Sequence, residues 1–168
     1  MAAQALVPAQ SSIAFTARQL GVPLQGHFKQ FDAQIQFDTA KPETSVIRFS
    51  IDTGSATMGS RETDSNLMAA DWFNVPQYPK ATFASTAVKA LGSGKYQVDG
   101  TLTIKGHARP VSVPVQLTQN AGTTTATGTL ALQRLPFKIG DGDWADTSMV
   151  ADEVSVQFKL ALTGVAPL

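Results

Sequence analysis

The residues most able to do chemistry are few. The two histidines, His27 and His107, each follow a glycine at a strand end or turn, and the chain has no cysteine. With no HExxH pair and no cluster of carboxylates beside either imidazole, no metal centre is expected, and both read as solvated turn histidines. The stretch DGDWADTSMVADE supplies Asp141, Asp143, Asp146, Asp152 and Glu153, oxygen ligands of the kind calcium takes. Set against an EF-hand loop beginning at Asp141, its sixth position is Asp146 where glycine is required, and its twelfth is Asp152 instead of glutamate. That leaves at most an irregular, weak cation site. No serine stands in a G-x-S-x-G elbow. Arg61, Glu62 and Asp64 form the densest polar group, read either as a solvated helix start or as the polar end of a site.

A second cluster is aromatic. In AADWFNVPQYPKATFAS, Trp72, Phe73, Tyr78 and Phe83 crowd a segment broken by Pro76 and Pro79. Proline fixes φ and removes a donor, so this is a shaped connection whose rings either plug a core or line a cavity. Trp144 admits the same two readings, as a plug over one end of the fold or a wall of a ligand mouth.

The elements that must position these residues alternate with a period of two. Ile13, Phe15 and Ala17 share one parity, as do Phe31, Ala33, Ile35 and Phe37, then Ile47, Phe49 and Ile51. The same holds for Ala81 and Phe83; Tyr96, Val98, Leu102 and Ile104; Val111, Val113, Val115 and Leu117; Leu130 and Leu132; and Val154, Val156, Phe158, Leu160 and Leu162. About eight strands joined by Gly-containing turns predict an antiparallel sandwich or closed barrel. Phe28 and Phe31 differ in parity, which predicts a bulge in the second strand or a strand that starts after it. Pro114 suits an edge, a bulge or a barrel corner better than a central ladder position. Thr123 to Thr125 reads as a polar turn. Helix is expected only over Ser60 to Phe73. Small residues on the inward parity, namely Ala17, Ala33, Ala81, Gly100 and Gly128, would leave room inside a barrel.

Composition bounds the rest. A chain of 168 residues, 43% hydrophobic and 15% charged, can bury one sizeable core, and no internal boundary is visible. Thirteen basic residues balance thirteen acidic ones without a basic stripe, so nucleic acid is not expected as a partner. No apolar run approaches the ~20 residues of a membrane-spanning helix. Residues 1–11 read either as a remnant left by signal-peptide removal, with Ala3-Gln4-Ala5 resembling a cleavage site, or as a plain Ala-rich terminus; the folded unit would then be 12–168.

LMAADWFNVPQYPKATFAST, with SSIAFTARQLGVPLQGHFKQFDAQIQFD upstream and YQVDGTLTIKGHARPVSVPVQL downstream, resembles the signature of the YceI family over most of the chain. The resemblance implies an all-β fold, a single eight-stranded antiparallel lipocalin-like barrel with one short helix near its mouth. It implies a non-enzymatic periplasmic protein that carries or stores a long isoprenoid lipid, with no required cofactor. Carried onto this sequence, the tunnel would be lined by Phe15, Ile35, Phe37, Phe49, Ile51, Leu67, Met68, Trp72, Phe73, Tyr78, Phe83, Val98, Leu102, Trp144, Val156 and Phe158. Arg61, Glu62, Asp64, Tyr78 and Arg134 would be head-group candidates at the mouth, and the connection carrying Trp72, Phe73 and Tyr78 its gate.

Two departures from the pattern stand out. Gln19 occupies a position where many relatives carry histidine, and residues 140–153 look like a subgroup feature. Such subgroups are associated with b-type membrane cytochromes, which would make the ligand an isoprenoid quinone. An apolar mouth could also pair two copies into a homodimer. Competing readings are an enzyme acting on a prenyl substrate in the same cavity, with Arg61, Glu62 or Asp64 as polar catalysts, and a ligand-free β-sandwich that binds protein.

Overall fold

A computed structural model describes residues 4–140 and 142–166, without the side chain of Asp143. Asp141, part of the stretch considered for calcium, lies outside the described residues, as does Ala3 of the cleavage-like site.

Among the described residues eleven strands form one antiparallel sheet, curled into a lipocalin-like half-barrel with a single α-helix. The expectation of eight strands is corrected. All eight runs of alternating residues are strands: β2 (Ser12–Gln19), β4 (Phe31–Gln36), β5 (Val46–Asp52), β7 (Lys80–Gly92), β8 (Lys95–Ile104), β9 (His107–Asn120), β10 (Thr123–Gln133) and β11 (Glu153–Thr163). Added to them are β3 (Val22–Phe28) and the two-residue strands β1 (Ala5–Leu6) and β6 (Ala56–Thr57). The run VPLQGHF hides β3 because Pro23 breaks the strand pattern and inward-facing Gly26 shows no apolar side chain. Pro23 is tolerated because β3 pairs with β2 on one side and meets β6 only at His27 and Phe28. Phe28 and Phe31 therefore differ in parity because they end one strand and begin the next, and no bulge is needed.

Four hairpins turn on two residues with positive φ: Leu20-Gly21, Ser93-Gly94, Lys105-Gly106 and Ala121-Gly122. This left-handed pair matches the twist of the flanking strands, and glycine holds the second position without a Cβ penalty. The last of these turns puts Thr123 to Thr125 inside β10, with Thr124 buried, so the polar-turn reading of the three threonines is overturned. The β9–β10 ladder runs from Asn120–Thr123 to Gln116–Thr127 and stops before Pro114, which cannot donate to it.

In sheet order the strands run β4, β5, β7, β8, β9, β10, β11, β2, β3, β6, so β4 and β6 are its two edges. At one end of the barrel β1 pairs with β11, and the backbone N–H of Gln4 donates to Ile35 of β4 at 3.1 Å. The Gln4 side chain continues this closure, accepting from Phe37 N at 2.6 Å and donating to Phe37 O at 3.3 Å. Tyr96 meets Phe37 edge-on at 5.1 Å in the same cluster.

The single helix, α1 (Arg61–Met68), is shorter than the expected Ser60 to Phe73. Ser60 caps it by accepting from Thr63 N at 3.5 Å. After Met68 the chain folds back on the helix end: Phe73 N donates to Leu67 O at 2.9 Å, Asn74 N to Ala69 O at 2.9 Å and Val75 N to Met68 O at 3.1 Å. Asn74 takes φ 49°, a left-handed conformation asparagine tolerates. The aromatic connection is thus a stack of turns hydrogen-bonded to the helix terminus.

Candidate functional site

The inward parity of the strands encloses a cavity of about 450 Å³, within the range of small-molecule sites. Its walls are the inward residues of every long strand, among them Ile13 and Phe15 of β2, Val98 and Leu102 of β8, and Val156 and Phe158 of β11. Of the residues expected to line a tunnel, Ile35, Phe37, Phe49, Ile51, Leu67, Trp72, Phe73, Phe83 and Trp144 do so as well. Met68 and Tyr78 do not. Met68 ends α1 on a different face from Leu67, and the Tyr78 ring lies over Gly106, where an added Cβ would come within 3.0 Å of it.

Polar side chains on this wall include Arg18 and Gln19 at the end of β2, Thr63 and Asn66 on α1, and Arg134. Thr53, Tyr96 and Thr124 line it as well, with Thr124 at the end where β1 pairs with β11. Thr63 and Asn66 share the helix face of Leu67 at spacings of three and four, the signal that would have picked them out. Arg61 and Glu62 are exposed and do not line the cavity. Gln19 lies on the wall itself.

Asp64 is also placed differently from the expectation. Its carboxylate accepts from Thr57 Oγ1 at 2.6 Å and from Met58 N at 2.7 Å, tying α1 to β6. The Thr57 hydroxyl bond, then the Met58 N–H, holds its pKa below the ordinary carboxylate value. A depressed folded pKa stabilises the native state above the unfolded pKa, and that contribution is lost as pH falls through the lowered value. Acid titration followed by unfolding should therefore show a loss of stability below the ordinary carboxylate range that is reduced in Asp64→Asn. An unchanged acid limb in the variant would refute the staple.

Arg134 was a head-group candidate, yet none of its N–H groups remains for a ligand. It is 1% exposed. Nε donates to Ala151 O at 3.0 Å, Nη1 to Ile139 O and Gly140 O at 3.0 Å each, and Nη2 to Trp144 O and Val150 O at 2.7 Å each. All five donors of the guanidinium fork are thereby used on backbone carbonyls of one loop. Burial pulls its pKa down, with Asp152 acting in the opposite direction. The Trp72 ring lies 6.0 Å from the guanidinium carbon and 5.6 Å from the Trp144 ring. Arg134 so joins the aromatic connection to the 139–151 loop, two motifs far apart in sequence.

Among its described residues that loop assembles no ion site. Asp146 Oδ1 accepts from Ser148 N and Oγ, and Asp152 Oδ1 accepts from Leu135 N, so these carboxylates serve local turns. Among the described residues no three of His, Cys, Asp and Glu gather as metal ligands.

An apolar lumen in a curled antiparallel sheet, with the helix and aromatic connection at one end, matches a known family. A family model described as a YceI-like domain covers residues 5–162. The chain belongs to the YceI-like family. This YceI-like domain is 38% identical over 90 residues to a UPF0312 protein of Azotobacter vinelandii, covering 54% of this chain and 47% of that protein. It is 40% identical over 89 residues to a UPF0312 protein of Pseudomonas putida strain W619, covering 53% and 46%. The chain spans about half the length of the curated relatives it matches. Among solved structures, BcnA of Burkholderia cenocepacia superposes with a TM-score of 0.90 at 42% identity, over 93% of this chain and 98% of that one. A polyisoprenoid binding domain from Saccharophagus degradans, implicated in plant cell wall breakdown, superposes with a TM-score of 0.75 at 17% identity, over 96% and 98%, and shares the fold. No helix among the described residues is long and apolar enough to cross a membrane.

Proposed function

We propose that this YceI-like chain binds one long isoprenoid lipid, tail in the lumen and head group at the α1 mouth, and carries or stores it without chemical change. The observation that carries this reading is the continuous, predominantly apolar cavity with Arg18, Gln19, Thr63 and Asn66 on the part of its wall formed by α1 and the end of β2. The polyisoprenoid binding described for the Saccharophagus domain supports the same ligand class.

Each buried CH₂ is worth roughly 0.8 kcal/mol relative to water, so several isoprene units supply more than ~10 kcal/mol of gross transfer energy. A membrane offers the tail nearly the same solvation. Retention therefore depends on packing along the wall and on the head group at the mouth. An isoprenoid quinone in the periplasm, exchanged with a b-type membrane cytochrome, is the specific form of this proposal, and pairing of two mouths into a homodimer is a further expectation.

Mass spectrometry of a solvent extract from protein purified from a prenyl-lipid-producing host should show a polyprenyl species at close to one per chain. Recovery of only fatty acyl lipids, or of none, would sink the isoprenoid reading. Glu62→Gln should leave the amount of extracted lipid unchanged, because Glu62 is exposed and does not line the lumen. Conversion of an added prenyl alcohol by the wild type, lost in that variant, would replace the carrier with an enzyme.

A further inference from the structure

The barrel repeats one local device three times, on three separate strand pairs. Phe15 of β2 stands directly opposite Gly26 of β3, and Phe158 of β11 directly opposite Gly128 of β10. Phe83 of β7 lies diagonal to Gly100 of β8, since Phe83 pairs with Leu102 and Ser85 with Gly100. In each pair the phenylalanine lines the lumen, and the glycine occupies an inward position of its strand.

The rings lie on the glycines. A methyl group added to Gly26 would fall 2.8 Å from Cε2 of Phe15. At Gly100 it would fall 2.6 Å from Cζ and 2.8 Å from Cε1 of Phe83, and at Gly128 2.5 Å from Cζ and 2.8 Å from Cε1 of Phe158. The far edge of each ring thus rests on a neighbouring strand, at the place a side chain would otherwise fill. A ring seated this way runs along the wall and does not project across the lumen. The glycines expected to leave gaps are therefore filled, and the open space lies in the middle of the barrel. Aromatic cover of a strand glycine is a known means of stabilising sheets, but here it also sets the free width of a cavity.

We infer that these three phenylalanine–glycine pairs are the specificity determinants of the lumen, fixing its bore to one slender, methyl-branched chain and excluding ligands that carry a bulky ring. The inference rests on the proposed lipid site but concerns its width, so the two can fail separately. A small barrel interior is filled by side chains or holds one ligand, and the orientation of three large rings decides between those outcomes.

The test uses delipidated full chain and three probes: geranylgeraniol, hexadecanol, and retinol, which ends in a trimethylated six-membered ring. Binding is read by quenching of Trp72 and Trp144, both on the cavity wall. The wild type should prefer geranylgeraniol to retinol by about tenfold or more, the scale on which a pocket discriminates by fit. Phe83→Ala and Phe158→Ala should each narrow that ratio about fivefold or more by strengthening retinol. If the rings served stability alone, these variants would shift all three probes together.

Gly100→Ala should weaken every probe, and adding Phe83→Leu should restore the slender ones. An added methyl would also crowd the main chain, lying 2.5 Å from Ala84 O, so a glycine variant that fails to fold leaves the phenylalanine variants to decide. A retinol ratio unchanged within about twofold in both phenylalanine variants, or retinol binding the wild type as tightly as geranylgeraniol, overturns the inference. Binding of hexadecanol with refusal of geranylgeraniol would sink the isoprenoid reading, and the bore would then be judged from the hexadecanol-to-retinol ratio.

Discussion

Arg134→Met is expected to lower the unfolding free energy by about 3 to 5 kcal/mol, on the scale of two or three buried acceptors left without a donor. The cation has left water, and its desolvation is offset by the five carbonyls of Ile139, Gly140, Trp144, Val150 and Ala151 and by the charge of Asp152. Methionine fills much of the volume but leaves those oxygens without a donor, which costs about 1 to 3 kcal/mol for each one that water does not reach. The loop can limit the loss by undocking, so the deficit should fall below the sum of the separate bonds. Undocking has its own signature, since Trp144 would leave Trp72 and the near-ultraviolet dichroism of the pair would collapse. Arg134→Lys keeps the charge but offers three donors from one point in place of a planar fork, and should recover less than half of the lost stability. Urea unfolding decides the matter: a methionine variant within about 0.5 kcal/mol of wild type, as an ordinary surface change would give, would show that the clamp is dispensable.

Phe73→Ala should cost about 3 to 5 kcal/mol in the ligand-free and loaded protein alike. The ring is buried in the cluster under α1, with the Phe28 ring at 6.0 Å and Leu67, Phe137 and Ile139 in the same group. It acts as core even though one side faces the lumen. The gate expected of Trp72, Phe73 and Tyr78 divides accordingly. Tyr78 packs on Gly106 away from the cavity, Phe73 closes the core, and only Trp72 remains half-buried at the mouth, against Trp144. Trp72→Ala should cost less stability than Phe73→Ala and should speed release of a fluorescent prenyl ligand. Equal release rates in wild type and Trp72→Ala, measured by transfer to acceptor vesicles, would remove the gate from this connection.

The sheet and the inner face of its strands are legible in the order of residues alone. Side chains alternate with a period of two, so Tyr96, Val98, Leu102 and Ile104 announce an inward face whatever lies opposite them. The turns were equally legible, because a positive-φ pair selects glycine locally. The helix start showed in Ser60, Glu62 and Asp64, and the shaped connection in Pro76 and Pro79. Family membership followed from the order of these local signals.

The rest depends on partners that local pattern does not reveal, whether they stand across the sheet or only a few residues away. Gly26 looks like a break in a strand until the Phe15 ring is seen resting on it. Gly100 and Gly128 look like voids until Phe83 and Phe158 are placed. Arg134 reads as a free cation at a mouth, since nothing local reveals that its donors will be taken by carbonyls reaching from Ile139 to Ala151. Asp64 reads as a helix-start acid, and its bonds to Thr57 and Met58 exist only once β6 passes beside α1. The physical reason is common to all four. Backbone periodicity and turn geometry are set within a few residues. The satisfaction of a buried donor, and the direction in which a ring lies, are set by whichever strand or loop the fold brings alongside.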